Sequence, residues 1–343
     1  MTNQSLPTVA DQVDVAADDS VASQTRLAIV ILNYRTPALT IDALTSIASG
    51  QDLNDVQVVV VDNRSEDGSG QQIQTAIEQN EWNDWCRLVQ SPTNDGFSAG
   101  NNVGVRAVHA DAYLLLNSDT IVRPGALDRL QAEMDRNPDV GMFSPRLEWL
   151  DGTAQVSCFR FFRPATELVR CAATGFVTRL FNWADVAWQT NADGGHDRCS
   201  PDWTSFACVL IRREVFETVG LMDDGYFMYY DDIDFCQTAN QNGIVLLHCP
   251  QARVVHLRGG SSAVKQLKAK RKRRPRYYFA ARSRYYAKHF GGLGLLLANL
   301  FWSFGFVISG TRHLITGRPP RHCQHEWRDI WTNFFRPLSG PNR

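Results

Sequence analysis

None of the eight cysteines stands in a C-x-x-C pair, which excludes a zinc ribbon or a thioredoxin-like redox site. Nine Trp and eighteen Phe supply core enough that no disulfide framework is needed, so reduced thiols are expected. No G-x-G-x-x-G follows the first apolar run and no G-x-x-x-x-G-K-[ST] occurs anywhere. These absences argue against a nicotinamide-type Rossmann enzyme and a P-loop NTPase. Residues 1–25 lack Lys, Arg and an apolar stretch, so they do not read as a secretory signal. Their acidic, weakly apolar composition reads as a disordered leader. The net charge of −1 hides an asymmetry: residues 259–343 carry 17 basic and 2 acidic side chains, leaving 18 basic and 34 acidic ones elsewhere. An acidic body with a basic tail is expected to meet phosphate through the tail. The length of 343 residues suits one large domain or two modest ones.

Three continuous apolar runs are present: 27–32 (LAIVIL), 56–61 (VQVVVV) and 112–116 (AYLLL). Runs of this kind suit strands buried on both faces of a parallel sheet. Helical spacing of apolar residues predicts helices over 37–48, 70–81 and 97–109. Alternation of strands and helices with right-handed crossovers predicts a doubly wound, Rossmann-like α/β domain whose ligand sits at the carboxyl ends of the strands. Those ends are polar: Asn33-Tyr34, Asp62-Asn63-Arg64-Ser65 and Asn117-Ser118-Asp119. Turn chemistry explains any one such end. Three converging on one edge point to a site.

Four constellations carry chemistry. Residues 94–102 (NDGFSAGNN) open a helix, and free N–H groups at a helix start suit a diphosphate, although an N-cap explains the same residues. Asp119 at the end of a buried strand can ligate a hard divalent cation, or it can be a turn residue. Tyr230-Asp231-Asp232-Ile233-Asp234 puts three acids at a helix start, where they favour the dipole. A carboxylate there can also act as general base toward a hydroxyl. His256 ends an apolar strand, either as a satisfied core residue or as a metal ligand beside Asp119.

Taken together, these segments resemble the family 2 inverting glycosyltransferases, in the rhamnosyltransferase-like branch. The resemblance runs through LAIVILNYRTPALTIDALTSI, VVVVDNRSEDGS, NDGFSAGNNVGVRAVHADAYLLLNSDT, DWTSFACVLIRREVFETVGLMDDGYFMYYDDIDFCQTANQNGI and PQARVVHLRGGSS, covering roughly residues 27–262. It implies a GT-A fold, a nucleotide-diphosphate sugar donor (dTDP-rhamnose-like or a UDP-sugar) and Mg2+ or Mn2+. Asn33 and Asp62 would hold the nucleoside. Asn94, Gly96, Asn101 and Asn117 would line the donor pocket. Asp119 and His256 would ligate the metal, and Asp232 would be the base, with Asp231 helping to position the acceptor. Trp203 and Ser205 would border the acceptor. Three positions depart from the family pattern. Asn117 replaces the first acid of the D-x-D-like element, Asp231 stands where Glu is frequent, and Phe206 replaces a Gly, which would narrow the acceptor side.

The resemblance divides the chain into a leader (1–25), a GT-A domain (26–262, with a nucleotide-sugar half 26–120 and an acceptor half 121–262) and a helical tail (263–343). The expected activity is sugar transfer to a hydroxyl of a glycan or lipid-linked acceptor in cell-envelope polysaccharide synthesis. A non-catalytic carbohydrate-binding protein on the same fold is the competing reading; an intact acidic pair and metal set oppose it. A sugar-nucleotide pyrophosphorylase would need a Gly-rich, basic loop after the first strand, and Asn33-Tyr34-Arg35-Thr36 lacks one. The tail holds eleven basic residues and no acid over 265–288, then eighteen uncharged residues over 293–310. Polybasic and aromatic-apolar stretches in succession predict contact with an anionic membrane surface along 265–310, lying on rather than spanning it. The expected location is cytoplasmic, peripheral on the inner face of the cell membrane. Charge with aromatics also suits nucleic acid, but nothing else supports such a partner and none is expected. His313, His322, Cys323 and His325 are too irregularly spaced for a metal site.

Overall fold

The computed structural model describes residues 25–184, 199–257, 269–317 and 322–340, together with 267, 319 and 320. Residues 1–24 of the expected leader and 258–266 at the start of the basic tail lie outside the described residues.

The chain runs β1 (Leu27–Asn33), α1 (Pro37–Gly50), β2 (Val56–Asp62), α2 (Ser69–Gln79), β3 (Cys86–Gln90), α3 (Phe97–Ala107), β4 (Ala112–Asn117), β5 (Thr120–Val122), α4 (Ala126–Arg136) and β6 (Val140–Glu148). It continues through β7 (Cys158–Phe159), α5 (Thr166–Ala172), α6 (Gly175–Leu180), β8 (Trp203–Thr204), β9 (Cys208–Arg212), α7 (Arg213–Val219), α8 (Asp231–Gln241), β10 (Val245–His256) and α9 (Arg276–Thr316). A one-turn helix, α10 (Glu326–Asp329), follows. The three apolar runs are strands and the three periodic segments are helices, each displaced by no more than two residues from the sequence expectation.

Eight strands form one sheet in the order β3-β2-β1-β4-β9-β6-β10-β5. Six point the same way; β9 and β5 are antiparallel to their neighbours. The right-handed α/β rule accounts for the β3-β2-β1-β4 half. Antiparallel β9, wedged between β4 and β6, makes the sheet mixed. β7 and β8 pair separately at the rim.

Alternation along the strands divides the core in two. Ile29, Ile31, Val58, Val60, Leu114 and Leu116 face α1, α2 and α4. Val30, Val59, Val61, Leu115, Val209 and Ile211 face the opposite layer of α3, α7, α8 and α9. Because Tyr278, Phe279, Tyr285, Tyr286, Leu295 and Trp302 of α9 belong to that second core, position 263 marks a change in charge rather than the edge of the fold. Likewise one sheet spans both predicted halves of the domain, and β5 straddles the division at 120. Gly291 (φ +68°, ψ −178°) breaks α9 into two helical pieces.

Candidate active site

The parallel register aligns Asn33 with Asp62 and Leu32 with Asn117, so the three polar strand ends share one sheet edge. Asn33 is fully buried (0% exposed). Its Nδ2 donates to Asp62 Oδ1 at 2.7 Å and to Ser65 Oγ at 3.3 Å. Its Oδ1 accepts from Thr36 N at 3.2 Å and Thr40 Oγ1 at 3.1 Å. The amide is thus consumed in tying the turn after β1 to that after β2 and in orienting the Asp62 carboxylate. The Ser65 hydroxyl donates to Asp62 Oδ1 at 2.5 Å and supports the same carboxylate.

Asn63 carries the frame onward. Its Nδ2 donates to Asn94 Oδ1 at 3.0 Å and to the Gly96 carbonyl at 3.2 Å. Gly96 has φ +101°, and a Cβ there would lie 2.0 Å from the Phe227 carbonyl oxygen. Only glycine permits that approach. It lets Phe97 N donate to Phe227 O at 2.8 Å, which docks the start of α3 against the segment entering α8. Asn101 donates to Phe97 O at 2.9 Å within that first turn. Asn102, the last residue of the 94–102 segment, clamps Met222 through both backbone groups.

Tyr229 and Tyr230 are both left-handed, with φ +71° and +63°. Two consecutive non-glycine residues in that region store backbone strain, and they deliver Asp231 and Asp232 to the first turn of α8. Burial is the main force raising both carboxyls: Asp231 is pushed up to about 6, and Asp232, with the Asp231 charge beside it, to about 8. Backbone N–H donation from Ile233 and Phe206 opposes the rise at Asp232 without cancelling it. A carboxyl poised near neutrality suits proton transfer. The Phe206–Ala207 segment reaches the next strand end, since Asn117 N donates to Ala207 O at 2.9 Å.

Register then brings Asp119 and His256 together. Thr120 pairs with His256 across β5 and β10, and Leu257 N donates to Asp119 O at 2.9 Å. His256 Nε2 stands 3.4 Å from Asp119 Oδ1, and both side chains are buried. One cation with ligand bonds of roughly 2.1 Å can span that separation. Gln155 fixes the histidine backbone by donating to His256 O at 2.7 Å. Among the described residues no group of three or more His, Cys, Asp or Glu gathers at metal-binding range. Two donors alone leave most of a divalent cation's shell to other oxygens.

Trp203 is buried, stacked on Phe159 at 4.4 Å, with its indole N–H donating to Arg160 O at 2.9 Å. Ser205 is partly exposed, and its backbone N–H donates to Ser157 O at 2.9 Å. Phe206 packs edge-on against Phe235 in the core and is 2% exposed, so the expected narrowing of the acceptor side gives way to a core contact. Asp234, third acid of the motif, faces away into the tail. It accepts from Tyr226 OH at 2.9 Å and bonds His289 Nε2 at 2.7 Å.

A mannosyltransferase of Pyrobaculum calidifontis, solved in complex with GDP-Man and Mn2+, shares the fold: TM-score 0.54 at 16% identity, over 87% of this chain and 78% of that one. The architecture is the GT-A fold of nucleotide-sugar-dependent glycosyltransferases. Residues 28–159 match the family model described as Glycosyl transferase family 2. A low-salt glycan biosynthesis hexosyltransferase of Haloferax volcanii is 25% identical over 240 residues, 67% of this chain and 66% of that protein. An N-acetylglucosaminyl-diphospho-decaprenol L-rhamnosyltransferase of Mycobacterium tuberculosis is 28% identical over 223 residues, 60% of this chain and 68% of that protein. The matches span about two thirds of the length of these two relatives. Over residues 28–159 the chain is thus similar to the family 2 glycosyltransferases, and over a longer span to a hexosyltransferase and an L-rhamnosyltransferase.

Proposed function

We propose that the chain is an inverting glycosyltransferase. It moves a sugar from a nucleotide-diphosphate donor, dTDP-rhamnose-like or a UDP-sugar, to a hydroxyl of a glycan or lipid-linked acceptor in cell-envelope polysaccharide synthesis. The observation that carries this reading is the buried Asp119–His256 pair, 3.4 Å apart, on the sheet edge shared with Asp62. The names of the relatives, a hexosyltransferase and an L-rhamnosyltransferase, support the reaction class. The Mn2+ in the mannosyltransferase complex supports a divalent cation.

Asp62, aimed by Asn33 and Ser65, takes the nucleoside. The Asn94–Gly96 turn and the start of α3 line the diphosphate side, where backbone N–H groups favour negative charge. Asp119 and His256 would hold Mg2+ or Mn2+, which supplies Lewis-acid stabilisation of charge on the departing diphosphate. Asp232 as carboxylate accepts the proton of the acceptor hydroxyl. That oxygen bonds to the anomeric carbon from the face opposite the breaking carbon–oxygen bond, which inverts the centre. Asp231 orients the acceptor, with Trp203 and Ser205 at its border.

Peripheral membrane binding belongs to the same proposal. Leu293, Leu297, Leu300, Phe304 and Val307 are exposed along one side of α9. Among the described residues this is the one helix long and apolar enough to cross a membrane. Arg273, Arg284 and Lys288 are engaged by Asp329, Asp223 and Asp234, so apolar surface would contribute more than these charges. Screening nucleotide sugars for thermal stabilisation with Mn2+, then reading the product anomer by NMR, tests the activity. A retained anomeric configuration, or no stabilisation by any nucleotide sugar, overturns it.

A further inference from the structure

Away from the sheet edge, a cavity of about 280 Å³ lies between α5, α9 and the segment around α10. Its charged lining is Arg170, Arg274 and Arg282 against Glu167 and Glu326. Arg274 pairs with Glu326. Arg282 Nε and Arg170 Nη1 stand 3.4 and 3.9 Å from opposite oxygens of the one Glu167 carboxylate. Three guanidiniums thus share two carboxylates, and one positive charge is in excess.

The hydrogen-bond inventory points the same way. Arg274 Nε, Arg282 Nε and Arg282 Nη2 are buried without an acceptor in hydrogen-bonding geometry among the described residues. Arg282 is only 2% exposed. Buried donors are normally satisfied, so three open guanidinium nitrogens around one cavity call for an acceptor. Water can accept hydrogen bonds but leaves the charge uncompensated. Although burial raises its hydroxyl, Tyr278 is held below the usual tyrosine range by Arg274 and Arg170, as expected where the surroundings favour an anion. The Arg170 side chain, 34% exposed, forms the rim.

We infer that this cavity binds a phosphate-ester oxyanion. Planar guanidinium forks match phosphate geometry, and the volume exceeds what a lone carboxylate fills. Tyr230 lines the cavity immediately before Asp231, and Trp302 lines it from the helix whose outer side is apolar. The cavity therefore lies between the proposed catalytic turn and the proposed membrane face. Two sources carry this chemistry: the diphosphate of a lipid-linked acceptor and the headgroup of an anionic phospholipid. Only the first rests on the glycosyl-transfer reading.

The test is calorimetric titration of the full chain with inorganic pyrophosphate, without donor or divalent cation. Binding to the wild type should weaken at least tenfold in Arg282→Lys, which keeps the charge but removes the fork. The rim variant Arg170→Gln should weaken it similarly, and it keeps the Arg282–Glu167 and Arg274–Glu326 pairs should Arg282→Lys misfold. No pyrophosphate binding to the wild type, or binding that both arginine variants leave unaffected, overturns the inference. Two further arms assign the source. A raised KM for a sugar-diphospho-polyprenol at constant kcat in Arg170→Gln identifies the acceptor. Weakened sedimentation with phosphatidylglycerol vesicles, but not with phosphatidylcholine controls, identifies the headgroup. The titration needs no turnover, so its failure is distinct from failure of the transferase assignment.

Discussion

Asp234 Oδ2 accepts a hydrogen bond from Lys288 Nζ at 2.7 Å, which commits the third acid of the 231–234 motif to α9 and sets it apart from Asp231 and Asp232. Lys288 also bonds Asp223 at 3.0 Å, and Arg284 bonds Asp223 at 2.7 Å. The tail's charge is thereby spent in part on the acids of its own body.

Removing one partner of a buried charged network strands the others. Asp234→Asn should cost about 2–4 kcal/mol of stability. Urea unfolding followed by tryptophan fluorescence checks this; a change below about 0.5 kcal/mol would mean the network is a solvated surface contact.

Asp232 makes stability and activity respond oppositely to pH. Its carboxyl rises from an ordinary 3.8 to about 8 in the folded chain, so the folded state holds the proton more tightly than the unfolded state. The associated stability is full below about pH 4 and fades as pH rises through 8. Asp232→Asn should therefore raise the Tm by more at pH 8 than at pH 5. Activity requires the carboxylate, so kcat/KM of the wild type should climb from pH 6 to a plateau above about 8. The acidic pair titrates as a unit, and apparent values belong to both. A Tm difference that does not vary with pH would contradict the raised carboxyl of Asp232.

Asp119→Asn and His256→Gln should each weaken Mn2+-dependent donor binding at least tenfold, while binding without the cation changes little. Losing a ligand or its orientation typically costs 10–100-fold in metal affinity. Titration of nucleotide sugar at fixed Mn2+ and in chelator separates the two cases.

Gly96→Ala should displace the contact between α3 and the segment before α8. The added Cβ would strike backbone at Phe227, which has no rotamer to yield. Destabilisation of about 2–4 kcal/mol is expected, with donor affinity falling more than at Gly152→Ala. Gly152 has φ +85° but nothing within 4 Å of a Cβ, so it isolates the backbone cost from the collision.

β1, β2 and β4 were legible because strands buried on both faces are apolar without interruption, and their polar ends then marked the edge. The start of α8 at Asp231 was legible from its acids. The insertion of β9 between β4 and β6 was not, because strand order follows pairing across long separations. In sequence Asp234 is one of three clustered acids; its bonds to Tyr226, Lys288 and His289, two of them more than fifty positions away, set it apart from the other two. Asn63 resembled an ordinary turn residue, and its bonds to Asn94 and Gly96 depend on how two loops meet. The tail's basic residues read as a patch for an anionic surface, since their acidic partners lie far off in sequence, in α8, before it and in α10.

The most direct measurement compares wild type and Asp232→Asn for donor affinity and single-turnover transfer under identical Mn2+ and nucleotide-sugar conditions. A general base acting only on the acceptor predicts donor affinity within about threefold of wild type and turnover reduced by about 10²–10⁴. Equal loss of donor binding and turnover, or turnover that survives the substitution, would contradict the role given to Asp232.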